Sequence, residues 1–172
     1  MTNRWKPSAT VAAIIEHQGK FLLVEEHTPE GLRLNNPAGH LDAGESLVGA
    51  CAREALEETM HVFTPTHLLG VYMARFQRPA TADQADQDIT YLRFAFCGQL
   101  GDLQAGRSLD TGIVRTLWLS PDELRASALR HRSPLVLQCM EDYLCGQRFP
   151  LALIHTDPTI IDPRPIVSGD KS

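Results

Sequence analysis

The chain has 172 residues, 43% hydrophobic and 22% charged, which is the length and balance of one globular domain with a real core and excludes a disordered or fibrous chain. Sixteen Lys and Arg against twenty-one Asp and Glu leave a net charge of −5, so no global basic field draws it to a nucleic acid polymer or an anionic membrane. The four cysteines form no CxxC pair and have no partnering histidine spacing, which argues against a zinc ribbon, a thioredoxin-type site or a disulfide framework and predicts reduced, mostly buried thiols.

The first apolar run, residues 11–15, stops at Glu16 before the core of an export signal forms. No stretch approaches the roughly 18 to 20 continuous apolar residues that cross a bilayer, and a cytoplasmic protein is expected. Residues 10–16 and 21–25, around His17-Gln18-Gly19, predict two strands joined by a tight turn, a β-hairpin. Pro29 and Gly31 mark a loop, and residues 32–36 a short extended piece ended by Pro37. Residues 46–59 lack proline, and Leu47, Val48, Ala50, Cys51 and Ala55 recur at helical spacing, which predicts a helix with one apolar stripe.

Residues 68–74 and 89–97 predict strands around an exposed polar loop holding Pro79, Asp83, Asp86 and Asp88. That aspartate series lacks the glycine and distal glutamate of a calcium loop and is expected to be solvated. Residues 113–119 predict another strand, and Ser120-Pro121-Asp122-Glu123 supplies the N-cap, N1 proline and N3 glutamate of a short helix. A last helix opens at Ser133-Pro134 and runs to about Leu144, with Val136, Met140, Tyr143 and Leu144 on one side and Gly146 as C-cap. Residues 151–154 are expected to pack, and residues 156–172 to form a loose tail beyond a single domain of residues 1–155. Strands before and after a central helix, with more helix toward the end, predict an α/β fold with a mixed sheet and helices on both faces.

The chemistry is concentrated where a glycine turn, Gly39 to Gly44, runs into the first helix. At about 100° per residue, Glu54, Glu57 and Glu58 project from one face, opposite the apolar stripe. Like charges at these spacings repel by a few tenths of a kcal/mol per pair. Arg53 pairs with Glu57 at i+4 or reaches back to Glu45, but one guanidinium leaves most of the charge uncompensated, whereas a hard divalent cation absorbs it. Oxygen donors with no His or Cys beside them favour magnesium, or manganese, over zinc. The turn between Gly39 and Gly44 can present carbonyls and N–H groups beside these carboxylates, as a metal-phosphate site requires.

In these residues the chain resembles the Nudix hydrolases. Their box is a glycine, five residues, a glutamate, seven residues, Arg-Glu, an apolar residue, any residue and Glu-Glu, and here Gly39, Glu45, Arg53, Glu54, Ala55, Glu57 and Glu58 fall on it. The box continues with a residue, a glycine and an apolar residue, where this chain has Thr59-Met60-His61, so the helix exit departs from the pattern while the carboxylates do not. The resemblance implies a Nudix-type α/β/α sandwich, a Mg2+ cofactor (Mn2+ in its place) held by Glu54, Glu57, Glu58 and the carbonyl of Ala38, and catalysis by Glu54, Glu57 and Arg53. Gly39, Gly44 and Glu45 then frame the box, with Arg53 orienting Glu45 and Glu57. For the general base it implies Glu54 in some members and a loop carboxylate in others, for which Asp110 is the candidate.

Beyond the box, Pro37-Ala38-Gly39-His40-Leu41, Arg132-Ser133-Pro134-Leu135-Val136 and Gly146-Gln147-Arg148-Phe149-Pro150-Leu151 resemble a phosphatase branch of the same family over roughly residues 8 to 155. This implies release of inorganic phosphate from nucleoside tri- and diphosphates and from pyrophosphates of the thiamine pathway, by a monomer or homodimer whose partner is a small-molecule pyrophosphate. His40, Arg132 and Arg148 are candidate phosphate contacts, and Tyr72, Phe76, Tyr91 and Phe94 candidate base-stacking rings. Two other functions compete: a house-cleaning pyrophosphatase that yields a monophosphate and pyrophosphate, and a catalytically silent nucleotide sensor. A serine-hydrolase elbow is missed by one residue at Gly44 to Gly49, and no P-loop occurs.

Overall fold

A computed structural model describes residues 4–80 and 86–164; Asp83 lies outside them. Strand β1 (Ser8–Ile14) carries the apolar run because both its faces are covered. Val11, Ala13 and Ile15 face Ala50, Cys51 and Ala55 of α1 (Leu47–Thr59), whereas Ala12 and Ile14 face Val136, Cys139 and Met140 of α3 (Leu135–Leu144). Two hydrophobic cores result, one under each helix, and the fold is an α/β/α sandwich.

The sheet that contains β1 has the order β5-β1-β7-β6-β9, with β5 (Ala38–His40), β6 (His61–Arg78), β7 (Gln87–Leu103) and the two-residue β9 (Phe149–Pro150). β1 and β7 run parallel and the other neighbours antiparallel, so the sheet is mixed. A second sheet is built on β3 (Lys20–Thr28), which pairs with β2 (Glu16–His17) and β4 (Gly31–Asn35) on one edge and with β8 (Ile113–Leu119) on the other.

The expected hairpin is split between these sheets. The turn forms, with Gln18 at φ 52° and Gly19 at φ 77° as a two-residue hairpin turn requires, but it joins β2 to β3. The residues before it leave for the other sheet, where the run 11–15 finds cover on both faces. The strands expected at 68–74 and 89–97 extend in both directions into one long antiparallel pair. Register shifts beside Pro65 and Gly70 let the strand absorb a proline that a regular ladder excludes.

Helix α1 starts at Ser46, whose hydroxyl accepts the Gly49 N–H at 3.0 Å, an N-cap of the kind serine favours. It ends at Met60, left-handed at φ 61°, with its N–H on the Leu56 carbonyl at 2.9 Å. The helix thus leaves by the path that a glycine at this position takes, and the methionine adopts the left-handed conformation that glycine tolerates best. Helix α2 (Pro121–Ala126) has the capping box of Ser120 and Glu123. In α3 the buried stripe is Val136, Cys139 and Met140, with Tyr143 packed beside it, while Leu144 is 47% exposed; Cys139 takes the place expected of Leu144. Gly146, at φ 82°, closes that helix. Leu151 and Ile154 pack on the α1 side of the core, and residues Pro158–Ile160 form a 3₁₀ turn capped by Asp157. The site lies where β5, α1 and the loop before β8 meet.

Candidate active site

Arg53 is the centre of the box. Its Nε and Nη2 donate to the two oxygens of Glu45 at 2.6 and 2.9 Å, and Nη1 donates to Glu54 at 2.8 Å and to Glu57 at 3.0 Å. Nη2 also reaches the His40 carbonyl at 3.2 Å, so one planar fork joins the turn to the helix face. Its carboxylate partners, Glu45 first, push the Arg53 pKa further up, and the same contact holds Glu45 below the usual carboxylate range.

Gly39 is required for space. A Cβ at this position would fall on the carboxylate of Glu54, which therefore sits directly against the turn backbone. Ala38, whose carbonyl was expected as a ligand, donates its N–H to Glu58 at 2.8 Å. The loop carrying Asp110 is tied to the helix end by the Asp110 N–H on the Glu57 carbonyl at 3.0 Å. Burial raises Glu54, against the opposing pull of Arg53, and Glu57 and Asp110 raise it further. Glu58 is pushed up to about 8, chiefly by burial, with Glu26, Glu54 and Asp110 adding to it. Crowded, desolvated carboxylates of this kind favour a positive ligand or a proton.

A cleft of about 890 Å³ opens beside them, with Gly39, His40, Glu54, Glu58 and Asp110 in its lining. Arg132 also lines it, with its guanidinium on the Glu26 carboxylate. Arg148 is not brought there, because its guanidinium stacks on the Tyr143 ring at 3.7 Å and donates to the Gln147 carbonyl at 2.6 Å. Of the four candidate rings, Phe76 and Tyr91 form an edge-to-face pair on the cleft wall, centroids 5.9 Å apart. Tyr72 and Phe94 pack against the two cores.

Sequence reasoning missed Glu26 and Arg93. Both are buried and line the cleft. For Arg93 the available signal was a charge that interrupts the apolar run of residues 89–97; Glu26, second of the Glu25-Glu26 pair that ends the run 21–24, carried none.

As they stand, no three His, Cys, Asp or Glu side chains among the described residues are placed to hold a metal ion; Arg53 engages Glu54 and Glu57, and the Ala38 N–H engages Glu58. The donor set nonetheless fits a hard cation: oxygen only, crowded, and desolvated enough to raise Glu54 and Glu58.

Two helices cover the faces of a mixed sheet, and a carboxylate-lined cleft opens at the turn into the first of them. The NUDIX domain matches residues 5–138, and the chain belongs to this family of hydrolases acting on phosphoanhydride bonds. It is 39% identical over 151 residues to proteins named "Phosphatase NudJ" from Shigella boydii and Escherichia coli K12, covering 87% of this chain and 92% of each relative. A Nudix hydrolase structure from Nitrosomonas europaea matches with a TM-score of 0.77 and 50% identity, covering 88% of this chain and 98% of that one. A MutT Nudix hydrolase from Burkholderia pseudomallei, 18% identical with a TM-score of 0.60 over 80% of this chain and 98% of that one, shares the fold. Among the described residues, no helix is long and apolar enough to cross a membrane.

Proposed function

We propose that this Nudix hydrolase is a Mg2+-dependent phosphatase that releases inorganic phosphate from nucleoside tri- and diphosphates and from thiamine-pathway pyrophosphates. The observation that carries the reading is the presence of Glu54, Glu58 and Asp110, close enough to act on one another's charge, in the lining of one cleft, in a chain so similar to curated phosphatases. Glu54, Glu57, Glu58 and the Ala38 carbonyl would hold the divalent cation, which when bound supplies charge neutralisation on the diphosphate and a water of lowered pKa.

The protein's own groups do the rest. Arg53 holds Glu45, Glu54 and Glu57 through one guanidinium. Glu54, whose carboxyl burial raises above its ordinary range, is the helix carboxylate for the role of general base, and Asp110 is the loop carboxylate that lines the same cleft. His40 and Arg132 line the space for phosphate, and Phe76 and Tyr91 offer ring surface to a base or thiazole. The domain in this reading spans residues 1–155, works as a monomer or homodimer, and resides in the cytoplasm, where its four free cysteines stay reduced.

The test is release of phosphate and pyrophosphate from ATP, ADP and thiamine pyrophosphate with Mg2+, with Glu57→Gln as the blank. Orthophosphate from the wild type alone is the expected result. Pyrophosphate in its place replaces the reading by internal cleavage, and saturable binding without turnover replaces it by a nucleotide sensor.

A further inference from the structure

Arg93 stands in β7, level with Thr10 of β1 and Tyr72 of β6, and lines the cleft. It is 9% exposed, and its Nε and Nη1 are buried with no hydrogen-bond partner. Other arginines are paired with carboxylates, Arg53 with Glu45, Arg78 with Glu30, Arg115 and Arg130 with Glu25, and Arg132 with Glu26, while Arg33 donates to the Leu32 carbonyl. The charges facing Arg93 are those of Arg132, Glu26 and Glu58; neither carboxylate is bonded to its Nε or Nη1, Glu26 giving Oε2 to Arg132 while its Oε1 is buried without a partner, and Glu58 accepting the Ala38 N–H.

A desolvated guanidinium whose N–H groups find no hydrogen-bonded counter-charge is costly, and native proteins pair such groups. Thr10 Oγ1, level with Arg93 on the neighbouring strand, and Ser133 Oγ are also buried without partners in the cleft lining, as are the acceptor atoms Glu26 Oε1 and Asn35 Oδ1. Two hydroxyls and two unpartnered guanidinium nitrogens in the cleft lining offer separate donors to the several acceptor oxygens of a tetrahedral phosphate. Glu54 and Glu58 line the same cleft, so a phosphoryl group held between them and Arg93 has the proposed cation on one side and the guanidinium on the other.

We propose that Arg93 is a substrate-binding residue, whose guanidinium, with the hydroxyls of Thr10 and Ser133, takes the non-bridging oxygens of one phosphoryl group of the diphosphate. The inference deepens the proposed phosphatase reading and rests on it for the identity of the anion. Arg93 acts on the anion directly and leaves the carboxylates that hold the cation in place.

The probe is methylenediphosphonate, whose P–C–P bridge resists hydrolysis, titrated calorimetrically into wild type, Arg93→Met and Arg93→Lys with saturating Mg2+; Mg2+ alone is titrated in parallel. Expected is a loss of diphosphonate affinity of about 30- to 100-fold for the methionine variant and about 10-fold for lysine, which keeps the charge without the fork. Mg2+ affinity is expected to be unchanged. Wild-type diphosphonate affinity in the methionine variant overturns the proposal, and so does a parallel loss of Mg2+ affinity, which would place Arg93 on the cation side. Should the methionine variant fail to fold, the lysine variant decides, and unchanged affinity there is equally fatal. A wild type that binds diphosphonate through Arg93 yet releases no orthophosphate from any substrate refutes the phosphatase reading alone.

Discussion

A methyl group on Gly39 would overlap the carboxylate of Glu54. Gly39 has no positive φ, so it is a glycine because a carboxylate from the facing helix occupies the space of its side chain. Gly39→Ala is expected to leave the melting temperature within a few degrees of wild type, since the obstructing atoms end a flexible side chain. Phosphate release should fall by about 10- to 100-fold, because the displaced carboxylate no longer holds its position. Parallel melting and phosphate-release measurements check this; equal losses in both would mean that the backbone, and not Glu54, gives way.

Arg53 is expected to resist conservative replacement. A lysine keeps the charge but cannot hold both oxygens of Glu45 while reaching Glu54 and Glu57. Arg53→Lys should lower kcat by about 10- to 100-fold with a smaller change in KM. A full steady-state comparison on one diphosphate substrate reads the split.

Glu58 makes the metal-free protein pH-sensitive. Its folded pKa of about 8 lies above the unfolded carboxylate range, so between roughly pH 4.5 and 8 the folded state binds more protons than the unfolded one, and stability falls as pH rises. Thermal melts in chelator should show a decline across that window that Glu58→Gln flattens. The cation must displace the same proton, so Mg2+ affinity is expected to rise as pH passes 8, which calorimetry at pH 6.5 and 8.5 measures.

Met60 holds a left-handed conformation at φ 61° where the family box has glycine. Met60→Gly is expected to stabilise the protein by about 1 kcal/mol, because the left-handed strain of a side-chain-bearing residue is removed. Activity should be unchanged, since the helix already ends there by the same bond to Leu56. Urea unfolding of the two proteins gives the difference.

Local pattern was sufficient for most elements. The stripe of α1, the Ser120 capping box and the turn at Gln18-Gly19 depend on spacings of a few residues, and the structure has each of them. The Glu54, Glu57 and Glu58 face follows from helical geometry alone, and Arg53 meets Glu45 over eight residues of chain. Which sheet a strand joins is a different matter. The run 11–15 reads as half of a hairpin until two helices cover its faces, and no local signal says that β1 pairs in parallel with β7 some eighty residues on.

By itself, then, the sequence determined the helix that carries the carboxylates, the turn that feeds it and the family to which both belong, because those features are short-range and periodic. Tertiary structure alone decided that Arg93 and Glu26 are buried in the cleft, that Arg132 enters it and that Arg148 turns away onto Tyr143. Burial and pairing of a charge depend on what the rest of the chain brings against it, and a run of residues holds no record of that.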